Sequence, residues 1–160
     1  DANGDGYDDF AVGAPYADGD ASNCGTAYLV YGPVTGRVSL ADGEAVIDGA
    51  ASSENAGARV ALVGDIDGNG MSDLLIGAPS YGAARGAAYL IYSPVSGAMS
   101  TGDAPVTVEG DHNGEILGTA VAGLGLVDDD IYGDFSVGAP NNTATEGYPG
   151  SALLFMGMGL

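Results

Sequence analysis

The sequence predicts an all-β fold, a partial β-propeller of about two and a half blades, each blade built from four antiparallel strands. Three observations carry this. First, an 11-residue theme recurs as Asp5-Gly-Tyr-Asp-Asp-Phe-Ala-Val-Gly-Ala-Pro15, Asn69-Gly-Met-Ser-Asp-Leu-Leu-Ile-Gly-Ala-Pro79 and Asp130-Ile-Tyr-Gly-Asp-Phe-Ser-Val-Gly-Ala-Pro140, with Gly13, Gly77 and Gly138 spaced by 64 and 61 residues. A second theme starts at Gly25, Gly86 and Gly150 with spacings of 61 and 64. Second, one period holds four short apolar runs bounded by Gly, Pro, Asp or Asn, the content of one propeller blade. Third, no segment sustains a 3.6-residue apolar period with helix caps.

Taken along the chain, the first, partial blade spans 1–49 and contributes runs at 10–13, 26–31 and 45–49. The complete blade spans 50–110, with runs at 58–64, 74–77, 87–92 and 106–110. The last, partial blade spans 111–160, with runs at 118–124, 135–138 and 151–156, for ten strands in all. The two spacings differ in the segment after each Gly-Ala-Pro: Tyr16 to Cys24 and Asn141 to Pro149 are nine residues long and Ser80 to Arg85 is six. Length changes of this kind are tolerated in surface loops.

Composition narrows the function. The 160 residues are 46% apolar, enough for a packed core, and 29 are glycine without a Gly-X-Y period, which excludes collagen. Against 22 acidic side chains stand Arg37, Arg59 and Arg85 and no lysine, a formal charge of −19. Such a surface repels nucleic acid and anionic membranes, and no apolar run reaches the ~18 residues of a membrane span. One histidine, His112, leaves little for imidazole chemistry, and Cys24 has no second cysteine to pair with.

Two acidic loops precede Gly-Ala-Pro strands: Asp1-Ala-Asn3-Gly-Asp5-Gly-Tyr7-Asp-Asp9 and Asp65-Ile-Asp67-Gly-Asn69-Gly-Met71-Ser-Asp73. Oxygen side chains at positions 1, 3, 5 and 9, with the position-7 carbonyl, follow calcium-ligand spacing, since a hard cation takes six to eight oxygens. An EF-hand needs a glutamate at position 12, which here is Val12 or Ile76, so these loops lie between strands. Aligned at the same register, the third loop retains Asp128, Asp130, the Tyr132 carbonyl and Asp134. It has Leu126 at position 1, and Asp129 and Ile131 where the others have glycine. Two Ca2+ sites are expected, with the third degenerate. Two ions would reduce −19 to −15 and three to −13, so most of the acidity is solvated surface.

The string Asp-x-Asn-Gly-Asp-Gly-x-x-Asp-Phe-x-Val-Gly-Ala-Pro, followed by Gly-x-x-Tyr-Leu-x-Tyr, resembles the FG-GAP repeat of integrin alpha-chain propellers and of many secreted bacterial proteins. The likeness covers essentially the whole chain and places Ala56-Gly57 and Leu117-Gly118 at the FG positions. It implies a seven-bladed propeller with calcium loops on one face, serving adhesion, ligand binding or an accessory role beside a secreted enzyme.

The expected function is therefore an extracellular or cell-surface, calcium-binding, non-catalytic module with a structural or adhesive role toward protein or glycan. The alternatives are a self-assembling subunit of an extracellular fibre or layer, and an accessory domain of a secreted hydrolase. Expected partners are further blades of a longer parent chain or copies of the same chain. Asp8 with Asp9, or Asp128 to Asp130, could form a carboxylate pair, but Asp9, Asp128 and Asp130 already have calcium roles and Asp8 falls at an outward-facing loop position. His112, alone or with Cys24, reads as a turn residue. Tyr28, Tyr31, Tyr89 and Tyr92 read as half-buried strand residues, and Asn141-Asn142-Thr143 is a glycosylation sequon.

Overall fold

The computed structural model describes residues 1–142 and 150–158. The chain is all-β, and its three sheets are successive blades of a partial β-propeller. All ten expected strands form. They are β1 (Phe10–Ala14), β2 (Thr26–Val30), β3 (Ala45–Asp48), β4 (Arg59–Leu62), β5 (Leu74–Ala78), β6 (Ala87–Ile91), β8 (Val106–Glu109), β9 (Ala120–Gly125), β10 (Asp134–Ala139) and β11 (Ser151–Phe155). An eleventh, β7 (Gly97–Ser100), was not expected from the sequence. The sheet orders are β1-β2-β3-β7, β4-β5-β6-β8 and β11-β10-β9.

β7 lies in the connection between β6 and β8 but pairs with β3 of the preceding blade, and does so in parallel, Ala45 opposite Gly97 and Asp48 opposite Ser100. It corrects the expectation of purely antiparallel four-stranded blades. Gly97-Ala-Met-Ser has no alternating pattern of its own; the open edge of β3 makes it a strand by accepting its hydrogen bonds.

The middle blade is buried on both faces, which explains why β5 and β6 are continuously apolar. Alternate side chains go to opposite sides. Leu74, Ile76, Tyr89 and Ile91 join Leu29 and Ile47 in a core between the first two sheets. Leu75 and Leu90 join Phe135 and Val137 in a second core against the third sheet. Tyr89, expected to be half-buried, is only 3% exposed.

The Gly-Ala-Pro glycine is demanded by this stacking. A Cβ on Gly13 would lie 1.9 Å from the Gly57 carbonyl oxygen, and one on Gly77 would lie 2.2 Å from that of Gly118. The strands that carry Gly13 and Gly77, β1 and β5, thus run against the FG turn of the following blade with no room for a side chain. Ala56 and Leu117 at the FG positions are fully buried. Tyr81–Ala84 forms a single turn in which Gly82 and Ala83 have left-handed angles. Among the described residues, no helix is long and apolar enough to cross a membrane.

Candidate metal centre

The second and third acidic loops join β4 to β5 and β9 to β10, the first leads into β1, and the last aspartate of each anchors it to the rest of its blade. In the second loop Asp73 is fully buried. Its Oδ2 accepts the Ile66 N–H at 2.9 Å, and its Oδ1 accepts the Ser93 N–H, just after β6, at 2.8 Å. Asp9 repeats this with Ala2 at 2.6 Å and Gly32 at 2.7 Å, and Asp134 with Val127 at 2.6 Å and Gly157 at 3.0 Å. The position-9 aspartate is therefore structural in all three loops, whatever else it holds.

The position-1 aspartate winds the loop. Asp65 accepts the N–H groups of Gly68 (2.7 Å), Asn69 (2.9 Å) and Gly70 (2.8 Å). Asp1 accepts those of Gly4 (2.6 Å), Asp5 (3.2 Å) and Gly6 (2.8 Å). That winding puts Gly4, Gly6, Gly68 and Gly70 at φ between 77° and 88°, a region costly for other residues. At positions 3 and 5 the side chains cap the next turn: Asn3 and Asp67 accept from Asp5 and Asn69, and those residues accept from Tyr7 and Met71. Tyr7 and Met71 take part through their backbone N–H groups.

The result in the second loop is convergence. One carboxylate oxygen from each of Asp65, Asp67 and Asp73 lies within 4.8 Å of the others. Burial, and after it the Asp67 charge, pushes the Asp73 carboxyl up to about 6. Ser93 is held at both its N–H, by Asp73, and its carbonyl, by Asn69 Nδ2 at 2.6 Å, and its hydroxyl is buried without a partner among the described residues. Three hard oxygen donors packed together, one of them desolvated, fit a divalent cation such as Ca2+.

The third loop is wound differently. Asp128 and Asp130 still accept from Asp130 and Tyr132. Leu126 replaces the carboxylate that gathers the N–H groups, and neither Asp129 nor Ile131 adopts positive φ. Leu126 and Ile131 are 61% and 79% exposed.

Among the alternative catalytic candidates, Asp8 is exposed and Asp9 is engaged as described. His112 has a 60% exposed side chain and lies 3.9 Å from Glu115 Oε2. Cys24 is buried in the loop after β1, where its Sγ accepts from the Gly19 N–H at 3.3 Å. Of the sequon, Thr143 lies outside the described residues, as does most of the Asn141 to Pro149 loop.

Two structural carboxylates escaped the sequence reading. Glu54, 1% exposed, accepts the Ala50 and Ala51 N–H groups (3.1 and 3.2 Å) and the Thr101 hydroxyl (2.9 Å). Its repeat mate Glu115, 3% exposed, accepts from the His112 N–H at 3.1 Å and from the Asn142 side-chain amide. The signal was present: both glutamates stand two residues before the FG position and 61 apart.

The FG-GAP repeat family matches residues 1–40 and 56–91. The chain is 32% identical to integrin alpha-3 of Cricetulus griseus over 87% of its length and 29% identical to integrin alpha-IIb of Homo sapiens over 87%. It is 37% identical to phosphatidylinositol-glycan-specific phospholipase D of Bos taurus over 63%. It spans only 13% to 14% of the length of these relatives.

Proposed function

The chain belongs to the FG-GAP repeat family, and from that premise we propose that it is an extracellular, calcium-stiffened propeller module with a structural or adhesive, non-catalytic role. The observation that carries this is the convergence of Asp65, Asp67 and Asp73 in a loop whose design is repeated at Asp1, Asn3, Asp5 and Asp9. In the proposed sites Ca2+ takes those side chains with Asn69 and the Tyr7 and Met71 carbonyls. The third loop, with Asp128, Asp130, Tyr132 and Asp134, stays empty because Leu126 supplies no carboxylate to gather its N–H groups. The ion supplies charge compensation that lets several carboxylates share one turn. The loop then holds the two strands it connects, and through Asp73 and Ser93 the end of β6. Blade divisions at 1–49, 50–110 and 111–160 complete the proposal, with β7 lent by the second blade to the first.

Millimolar external calcium suits loops of this kind, which supports the extracellular setting. Adhesion to protein or glycan draws on the likeness to integrin alpha chains. A second reading, an accessory domain of a secreted hydrolase, draws on the likeness to the phospholipase D.

The test is Asp67→Asn, which removes one charge while keeping the shape. Calorimetric titration is expected to give two calcium equivalents for the wild type and one for the variant. At a free calcium one hundredfold above Kd, the lost site is worth about 2.7 kcal/mol of stability, whereas melting in chelator stays unchanged. Equal destabilisation with and without calcium, or two equivalents in the variant, overturns the assignment.

A further inference from the structure

We propose that the first two acidic loops take up calcium cooperatively, because a chain of hydrogen-bonded peptide groups ties the coordinating residues of one loop to those of the other. The inference rests on the calcium reading and adds a coupling between its two sites. The chain starts at the Met71–Ser72 peptide, whose carbonyl is the position-7 oxygen of the second loop. Its N–H, on Ser72, donates to the Asp1 carbonyl of the first loop at 2.8 Å. The Asp1–Ala2 peptide accepts through that carbonyl and donates, through the Ala2 N–H, to Asp9 Oδ2 at 2.6 Å. Two peptide units therefore link the position-7 carbonyl of one loop with the position-9 carboxylate of the other.

The same relay recurs one blade on. The Gly133 N–H, in the peptide that carries the Tyr132 carbonyl, donates to the Asp65 carbonyl at 2.6 Å, and the Ile66 N–H donates to Asp73 Oδ2 at 2.9 Å. In each case position 8 of one loop meets position 1 of the loop before it. A second route between the first two loops runs past a tyrosine. Asp9 Oδ1 accepts the Gly32 N–H at 2.7 Å. Next to Gly32, the Tyr31 hydroxyl clasps Val95, donating to its carbonyl at 2.7 Å and accepting its N–H at 2.9 Å. Two residues before Val95, Ser93 is held by Asp73 and Asn69. Both oxygens of Asp9 are thus connected to the second loop, by separate paths.

Ordering gives the coupling its sign. A trans peptide is planar with its N–H and carbonyl opposed, so the bond from Ser72 to Asp1 turns the Met71 carbonyl away from the first loop. Once either loop is fixed, the peptide planes it shares with its neighbour are fixed too, and the neighbour loses less conformational entropy when it orders in turn. Hydrogen bonds in series also polarise and strengthen one another. Repulsion between two divalent ions acts the other way, but Gly4, Asp5, Gly6, Gly68, Asn69 and Gly70 are exposed, and solvent and salt screen it there. The third loop provides the donor of the second relay but has Leu126 in place of a carboxylate, so the coupled set is a pair.

The experiment titrates calcium into the 15N-labelled chain and reads each loop at its own amides, Gly4 and Gly6 for the first and Gly68 and Gly70 for the second. The wild type is expected to fill both loops together with a Hill coefficient of about 1.4, the value for two like sites coupled about fivefold. Asp5→Ala and Asp67→Ala each remove one site at an exposed or half-buried position. The surviving loop of either variant is expected to bind about fivefold more weakly than it does in the wild type with its neighbour filled. In Asp67→Ala, calcium at the first loop should still slow hydrogen exchange at the Ser72 amide of the disabled second loop. The coupling is overturned by a Hill coefficient of 1 with unchanged affinities in the two variants, or by a Ser72 amide indifferent to calcium in Asp67→Ala. Two equivalents bound independently would leave the calcium reading standing, whereas an absence of calcium uptake overturns both.

Discussion

Replacing Gly77 by alanine tests whether blade stacking, and not local strand preference, requires the Gly-Ala-Pro glycine. Gly77 does not have positive φ, so alanine is acceptable to its own backbone. The new Cβ would lie 2.2 Å from the Gly118 carbonyl oxygen and 3.3 Å from Val121 Cγ1. Ordinary van der Waals separation requires the two backbones to part by more than about 1 Å. The obstacle is backbone on a buried turn, so no side-chain rotation relieves it, and parting the blades loosens the core of Leu75, Leu90, Phe135 and Val137. Overpacking of this kind costs about 3 kcal/mol, equivalent to a Tm fall of about 6 to 12 °C at this size. Gly138 is the control. It occupies the same position in the third blade, but its Cβ would meet only the Ala120 methyl at 3.2 Å, and Gly138→Ala is expected to stay within about 1 kcal/mol of the wild type. Urea unfolding of both variants in calcium decides the matter; equal stabilities for the two refute the stacking argument.

Removing the Tyr31 hydroxyl with Tyr31→Phe abolishes the Val95 clasp and should cost about 1 to 3 kcal/mol in the same assay; no loss would mean the clasp is incidental. Burial holds the Glu54 carboxyl above its ordinary range despite its hydrogen bonds to Thr101, Ala51, Ala50 and Tyr89. The folded state therefore binds this proton more tightly than the unfolded chain does. The contribution is fully present below the unfolded value of about 4.3 and is lost as pH rises through the raised folded value. In chelator, the wild type should accordingly lose ground to Glu54→Gln between pH 4 and pH 7, and a pH-independent difference would contradict this. Asp130→Asn should leave the calcium stoichiometry at two, since the third loop lacks its winding carboxylate. The Arg85–Glu109 ion pair is 3.0 Å long, with side chains 35% and 40% exposed, so Arg85→Ala should cost under about 1 kcal/mol.

Much of the candidate site was readable because it is local. Asp1 and Asp65 reach N–H groups three to five residues ahead, and Gly4, Gly6, Gly68 and Gly70 permit the turn, so spacing alone encodes the loop. The loss of those same features at Leu126, Asp129 and Ile131 sets the third loop apart in sequence, as the absence of positive φ at Asp129 and Ile131 does in its backbone. Glu54 and Glu115 were passed over because a glutamate near a turn ordinarily faces water. Their burial depends on Thr101 and Asn142, which are distant in sequence.

By itself, the sequence determined the strands, the turns between them, the repeat register and the calcium-type loops. Each depends on terms within about ten residues: side-chain alternation, glycine at positive φ and carboxylates capping nearby N–H groups. Tertiary structure alone decided that Gly97–Ser100 becomes a strand of the neighbouring blade, that Tyr31 clasps Val95, and which carboxylates lose water. Those outcomes depend on which edges and faces the stacking of blades brings together, and a free edge imposes strand geometry on any chain that can satisfy its hydrogen bonds, whatever that chain's own pattern.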